Sequence, residues 1–329
     1  MEAERCIAVV GTGSIGMRHL RALESITGVR AVGIPQRKER LAVLHESGHV
    51  TAADLNEAAD RYNARLAIIA TDTGRHLTDA LSVLDRYLDV LVEKPLCANL
   101  EEARLLRERA EMAKRKVFVG CVLRFSDSLA EFRQLLPKIG RVHTVRIECQ
   151  SYLPDWRPDR PYEESYSASA EQGGVLRDLI HEIDYAGWIF GWPTALQARL
   201  DNLGRLGIKA EEAADLLWET RDGCMVSIRL DYLTKPTRRR MHAFGEGGTL
   251  EWDAVENIVS LSGNLPVKVT FTQTRDDMMV AQAWAFLESA NGLPDPRLGS
   301  VEDGVHAVAI CDAARYASAS GRKQEVAHS

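Results

Sequence analysis

The segment GTGSIG, Gly11 to Gly16, constrains the fold of this chain more than any other because of what stands on either side of it. Before it runs the short apolar stretch Arg5 to Val10, and after it comes MRHLRALESI, whose apolar residues recur at helical period. Strand, glycine turn and helix in that order make the opening unit of a doubly wound sheet. Each glycine has its own part in such a turn. Gly11 permits the tight bend, Gly13 lets the backbone approach a pyrophosphate, and Gly16 allows helix and strand to pack closely. The helix N-terminus offers unpaired N–H groups to phosphate oxygens, so Thr12, Ser14 and Ile15 complete a candidate dinucleotide cradle.

The alternation continues. After the strand Val29 to Ile34, NAD binders place an acidic residue against the ribose hydroxyls. Here Pro35 and Gln36 take that place, and Arg37, Lys38 and Arg40 follow. A cationic cluster without the carboxylate suits an adenosine 2′-phosphate, favouring NADP(H) with NAD(H) as the alternative; a plain basic start to the helix Glu39 to Glu46 is the competing reading. Ala64 to Ala70 reads as a buried parallel strand. It ends in TDTGRH, which brings Thr71, Asp72, Thr73 and His76 to a strand's carboxyl end, where open α/β sheets bind ligands. A helix from His76 to Arg86 leads to Val90–Val92 and then Glu93-Lys94-Pro95. These residues join Thr71, Asp72 and His76 as expected cofactor contacts, with Lys94 directed at the nicotinamide crevice. Asn99 and Glu102 form a capping pair opening the helix Leu100 to Lys114. The strand Val117 to Val122 then leads into Leu123-Arg124-Phe125.

After this point the pattern changes, so the sequence predicts a dinucleotide-binding Rossmann domain over 1–122 and an α+β domain over 123–329. A helix, Ser128 to Leu136, precedes the alternating strand Val142 to Tyr152. Further strands follow at Ala195–Asn202, Leu216–Thr220, Met225–Tyr232, Met241–Gly245, Thr249–Asp253, Ile258–Ser262 and Val267–Thr272, with short turns such as Ser262-Gly263-Asn264 between the later ones. Strands joined this way make a large, mainly antiparallel open sheet. Within this half lies YLPDWRPDRPYEESYSASAEQ, a long connection of the kind that is often functional. Trp156, Tyr162 and Tyr166 suit stacking on a sugar ring, and Arg157 and Arg160 suit an anionic group; packing over the sheet or a subunit neighbour is the alternative. GGVLRDLIHEID, Gly173 to Asp184, then carries Asp178, His181 and Asp184 three residues apart, predicting one helical face with three titratable groups. A capped helix with a satisfied core histidine is the competing reading. Helices over Asp277–Ala290 and Val301–Ser318 close the chain, with GRKQEVAHS as a frayed tail.

A chain of 329 residues is long for one core. The composition, 45% hydrophobic and 27% charged, is that of a soluble globular protein. A net charge of −6 excludes a general nucleic-acid binder, whose footprint is basic. Glu2 and Glu4 precede a short apolar run, the pattern of neither signal peptide nor membrane anchor. Cysteines at 6, 97, 121, 149, 224 and 311 form no CxxC pair, as expected of buried residues in a reduced cytoplasmic protein.

GTGSIG, the Glu93-Lys94-Pro95 strand end, Arg124-Phe125, the Gly173–Asp184 segment and SVEDG at Ser300–Gly304 together resemble the Gfo/Idh/MocA oxidoreductase family over essentially the whole chain. The resemblance implies NAD(P)-dependent hydride transfer on sugars, polyols and their derivatives, by homodimers or homotetramers built through the open sheet. It assigns catalysis to Lys94, Asp178 and His181. The aspartate and histidine stand three apart here where family members commonly space them four apart, resembling a D-x-x-H-E-x-D variant, and Cys121 replaces an aromatic residue. On this reading His181 is the acid/base, Lys94 polarises the reacting oxygen and Asp178 orients substrate or lysine and keeps Lys94 charged. Arg124 and Arg177 join Trp156, Arg157, Arg160 and Tyr162 on the substrate side. The SYLPDWRP run resembles members from bacterial surface-carbohydrate pathways, which implies an acidic or nucleotide-linked sugar. The cofactor carries the redox chemistry, so no metal is expected, nor a nucleic-acid or membrane partner. Redox-assisted elimination or glycoside hydrolysis, with the nicotinamide recycled in place, and a non-catalytic NADP(H)-binding regulator are the alternatives.

Overall fold

In the computed structural model, which describes residues 5–158, 160–170, 173–263 and 266–327, the opening apolar run forms the buried strand β1 (Arg5–Val10). Glu2, Glu4 and Asn264 lie outside the described residues, as do Asp159, Glu171 and Gln172 of the long connection and His328 and Ser329 of the tail. The chain then alternates: α1 (Ser14–Glu24), β2 (Val29–Ile34), α2 (Glu39–Glu46), α3 (Leu55–Arg61), β3 (Leu66–Ile69), α4 (His76–Asp85), β4 (Asp89–Val92), α5 (Leu100–Ala113) and β5 (Val117–Val119). These five strands pair in parallel in the order β5-β4-β3-β1-β2. The chain winds outward to both sides of β1, which puts the carboxyl ends of β1 and β3 at the switch point where such sheets hold ligands. Asn99 Oδ1 accepts the Glu102 N–H at 2.9 Å, as the capping pattern predicts. The same device, with Asp54 Oδ1 accepting from Glu57 N–H at 2.8 Å, starts α3, which the sequence reading omits.

The second unit contains α6 (Asp127–Leu135), β6 (Val142–Gln150), α7 (Val175–Asp178), α8 (His181–Phe190), β7 (Ala195–Asp201), β8 (Ala213–Glu219), β9 (Met225–Asp231), β10 (Arg238–Gly245), β11 (Gly248–Asp253), β12 (Ile258–Gly263) and β13 (Val267–Thr270). Its strands run β13-β12-β11-β10-β6-β9-β8-β7. Each neighbouring pair is antiparallel except β6 and β9. Side chains alternate across the sheet. Val145, Ile147, Leu216, Trp218 and Ile228 are buried under the helices, while Arg146, Glu148, Asp215 and Arg229 line a cleft of about 740 Å³ on the opposite face.

The chain then returns to the first unit, which comprises residues 1–125 and 274–305; the second comprises 126–273 and 306–329. This differs from a single boundary after residue 122. Phe125 is buried in the first core, and so are Ala283, Phe286 and Leu287 of α9 (Arg275–Ala290), packed with Leu20 and Leu23 of α1. The strand β14 (Gly299–Ser300) pairs antiparallel with β5 and adds a sixth strand. Apolar residues on α9 thus find their partners on α1, more than 250 positions earlier in the chain, which local patterning does not reveal.

After α10 (Val301–Ser320), the expected frayed tail instead forms β15 (Gln324–Glu325), the edge strand beside β7. The Val326 N–H donates to Thr194 O at 2.8 Å and its side chain is buried, so the tail is held by both backbone and burial. The six cysteines are buried and none is disulfide-bonded. Among the described residues no helix is long and apolar enough to cross a membrane.

Candidate active site

In the first unit the glycine turn has two closed positions and one open one. Gly11 has φ +90°, and a Cβ there would lie 2.7 Å from Ala70 O; a Cβ on Gly16 would lie 1.9 Å from Gly11 O. Gly13 is exposed, and a Cβ on it would meet nothing within 4 Å. The turn therefore leaves free backbone surface at Gly13, the N-cap of α1, where no side chain caps the first N–H groups and no acidic residue stands in the first turn. That is the donor set a dinucleotide pyrophosphate needs. Thr12 is buried beneath the turn, while Ser14 is exposed and Ile15 half-buried. Past β2, Pro35 is buried whereas Gln36, Arg37 and Lys38 are exposed.

The ends of β3 and β4 divide the other predicted cofactor residues into two groups. Asp72 is exposed and Lys94 half-buried. Thr71 Oγ1 donates to Asp79 Oδ2 at 2.8 Å, and Arg75 bonds the same carboxylate. His76 and Glu93 face inward. His76 is 1% exposed, with Nδ1 2.8 Å from Pro95 O and Nε2 3.1 Å from Thr71 O. Burial depresses its pKa below the ordinary histidine value. Glu93 Oε1 lies 2.7 Å from His19 Nε2, and Oε2 accepts the Lys94 N–H at 3.2 Å. Burial pushes the Glu93 pKa up, but the bond and charge of His19, with the charge of Lys94, outweigh it and hold the carboxyl below its usual range. Both residues were expected to contact the cofactor; both instead brace the backbone around Lys94. His19 escaped the sequence reading because a lone histidine within an amphipathic helix carries no motif.

Arg124 is also corrected. It is buried, and Nη1 donates to Asp303 Oδ2 at 3.0 Å; that oxygen also accepts the Ser300 N–H and hydroxyl. Its guanidinium is engaged at the start of α10.

In the second unit Gly173–Asp184 is not one helix. Asp178 closes the single turn α7, Leu179 departs from helical geometry with ψ 32°, and His181 opens α8. The predicted common face is replaced by two helix ends meeting at Leu179–Ile180, with Asp178 and His181 both buried. Tyr232, just past β9, donates its hydroxyl to Asp178 Oδ2 at 2.6 Å, and the same carboxylate acts on the Tyr166 phenol of the long connection. Burial and that carboxylate raise both phenol pKa values, keeping them protonated as donors. Trp156 sets its ring edge-on against Tyr232 at 5.5 Å and donates Nε1–H to Ser151 Oγ at 2.7 Å. The connection, which carries short helical turns at Leu153–Trp156, Tyr162–Glu164 and Tyr166–Ala168, thereby lies against Asp178.

Arg157 and Arg160 are exposed on that connection. Tyr162 donates its hydroxyl to Leu206 O at 3.1 Å. Arg177, expected on the substrate side, is 8% exposed, and burial and neighbouring Arg315 lower its pKa while Asp312 and Glu211 partly offset them. Asp184 is buried, in keeping with a structural role. Glu182, fully buried, accepts from Arg239 Nε at 2.8 Å and anchors α8 to the sheet. Tyr232 and Glu182 were missed as well, since their partners lie more than 50 residues away along the chain.

Residues 5–121 match the profile described as "Oxidoreductase family, NAD-binding Rossmann fold", and residues 132–251 that of the "GFO/IDH/MocA C-terminal domain". Inositol 2-dehydrogenase 3 of Saccharopolyspora erythraea is 26% identical over 98% of this chain and 95% of its own length. An oxidoreductase from Agrobacterium radiobacter, solved in complex with NAD+, L-tartaric acid and magnesium, superposes with a TM-score of 0.88 at 19% identity, covering 98% of this chain and 99% of that one. The WlbA dehydrogenase from Bordetella pertussis, in complex with NADH and UDP-GlcNAcA, superposes at 0.82 and 19% identity, covering 99% of each.

Proposed function

This chain belongs to the Gfo/Idh/MocA family of NAD-dependent sugar and polyol oxidoreductases, and on that premise we propose that it oxidises a carbinol carbon, or reduces the corresponding ketone, of an anionic sugar in the cytoplasm. Bound at the glycine turn, the nicotinamide cofactor supplies the hydride chemistry. Lys94 hydrogen-bonds the reacting oxygen and stabilises the negative charge that develops there. His181 takes the hydroxyl proton or returns it.

The observation that supports this division of labour is the 2.6 Å bond from Tyr232 to Asp178. The Asp178 carboxylate is already engaged as the acceptor of the Tyr232 hydroxyl, so Asp178 is read as orienting substrate or lysine, and the proton passes through His181. Lys94→Met and His181→Ala are each expected to lower turnover by about 10²-fold or more. A loss below about tenfold in either would remove that residue from the assignment.

The exposed Arg157 and Arg160 favour an anionic substrate. A panel of myo-inositol, glucose, glucose 6-phosphate, glucuronate and a UDP-linked uronic acid, followed at 340 nm, tests this. Arg157→Ala should raise KM far more for charged than for neutral compounds, and equal effects count against the idea. The exposed Arg37 and Lys38, with Pro35 and Gln36 where an acid would stand, favour NADP(H) over NAD(H). Saturation of the same reaction by each nicotinamide decides between them, and net consumption of cofactor separates simple oxidoreduction from a cycle that regenerates it in place. The cleft-bearing face of the nine-stranded sheet supports a homodimer or homotetramer, to be read from light scattering of the parent and of Arg229→Glu.

A further inference from the structure

Lys94 has a buried histidine braced against the residue on each side of it. On one side Glu93 Oε1 meets His19 Nε2 of α1 at 2.7 Å; on the other Pro95 O meets His76 Nδ1 of α4 at 2.8 Å. We propose that His19 and His76 are positioning residues that clamp the Glu93-Lys94-Pro95 segment and so fix where the lysine presents its charge. The inference rests on the reading of Lys94 as the group that stabilises the reacting oxygen.

The clamp draws in three strand ends. The second nitrogen of His76 lies 3.1 Å from Thr71 O at the end of β3, and the single N–H of a neutral imidazole donates to one of the two carbonyls at a time. The second oxygen of Glu93 accepts the Lys94 N–H, so the carboxylate folds back on the residue it is meant to place. Past β5, a Cβ on Gly120 would come within 2.9 Å of Glu93 Oε1, so a larger residue there would press on the carboxylate. The charged and titratable groups acting on the clamp all belong to it or adjoin it: His19 and Lys94 act on Glu93, and Glu93 and Asp79 act on His76.

A buried carboxylate–imidazole pair is an expensive way to join a helix to a strand. Apolar side chains of similar volume usually stabilise as much or more. Its cost is accounted for by what an apolar pair would lack, a negative charge held immobile beside Lys94. Misplacement of a catalytic group by about 1 Å can lower turnover by about 10²-fold, which sets the scale of what the clamp protects.

The test uses the full chain and the five-compound panel. His19→Leu should lower turnover at least about tenfold while NADPH affinity, read by fluorescence titration, stays within about threefold. Deuterium uptake should rise in peptides spanning residues 90–98 and not across the rest of the first unit. His19→Gln, which keeps an N–H within reach of Glu93, should restore most of the turnover. His76→Leu and His76→Asn should behave as the corresponding pair. Where His19→Leu fails to fold, Glu93→Gln and His19→Gln carry the same comparison. Turnover within about threefold of the parent in the leucine variants, or unchanged uptake over 90–98, overturns the clamp. Retained turnover in Lys94→Met overturns the reading of the lysine instead, and the uptake result still decides whether the histidines hold the segment.

Discussion

Tyr232 and Asp178 are joined by a 2.6 Å hydrogen bond between a phenol and a carboxylate that are both buried. Such a charge-assisted bond contributes about 1.5–3 kcal/mol when its partners are desolvated. Tyr232→Phe keeps the ring and its edge contact with Trp156 but removes the donor. The expected outcome is a loss of about 2 kcal/mol in urea unfolding together with about a tenfold fall in turnover. If both stay at parent values, the bond has no part in holding Asp178.

The glycine turn offers a contrasting pair. Gly16→Ala pushes a methyl group to 1.9 Å from Gly11 O, backbone against backbone, so the first strand and helix must separate. Gly13→Ala meets nothing in the protein itself. Thermal melting of the cofactor-free chain should therefore drop for Gly16→Ala and stay unchanged for Gly13→Ala, while both lose NADPH and NADH affinity by about tenfold or more. Parent-like affinity in Gly13→Ala would mean that the phosphates rest elsewhere.

His76 makes stability depend on pH with a definite sign. Burial lowers its pKa in the folded chain below the ordinary 6.5, so the unfolded chain takes up the proton first. Stability contributed by this group is complete above about pH 6.5 and is lost as pH falls from there through the lower folded pKa. The slope is at most about 1.4 kcal/mol per pH unit for one proton. His76→Asn should flatten this part of a plot of unfolding free energy against pH between 7.5 and 5; an unchanged slope would show that other groups dominate it.

Gln282 of α9 is 1% exposed, and neither its amide nitrogen nor its oxygen has a hydrogen-bond partner among the described residues. Burying an amide without partners costs about 1–3 kcal/mol. Gln282→Met, which keeps the length of the side chain, should raise the urea midpoint by an amount equivalent to about 1 kcal/mol or more. A lower midpoint would point to an ordered water that the amide holds.

Wherever the determining interactions are local, the sequence was a reliable guide. The glycine turn, the Asn99–Glu102 cap and the alternating strands of the second sheet each depend on residues within a few positions of one another. The segment around Asp178 and His181 departs from the predicted single helical face, because the helix breaks at Leu179. What the sequence left unread is non-local. Tyr232 meets Asp178 across 54 positions, His19 meets Glu93 across 74, and Arg124 meets Asp303 across 179. Single arginines and histidines look like candidate ligands until a distant carboxylate or carbonyl is found to occupy them, which is why Arg124, His76 and Glu93 changed roles.

Both sheets are finished by residues from the last tenth of the chain, β14 at Gly299–Ser300 and β15 at Gln324–Glu325. A polypeptide emerging from the ribosome therefore cannot complete its nucleotide-binding sheet when the first 125 residues are out. The edge of β5 and the face of α1 that α9 covers stay open until about 175 further residues have been made. For that interval the nascent first unit exposes apolar surface, and a chaperone that binds such surface has its natural window there.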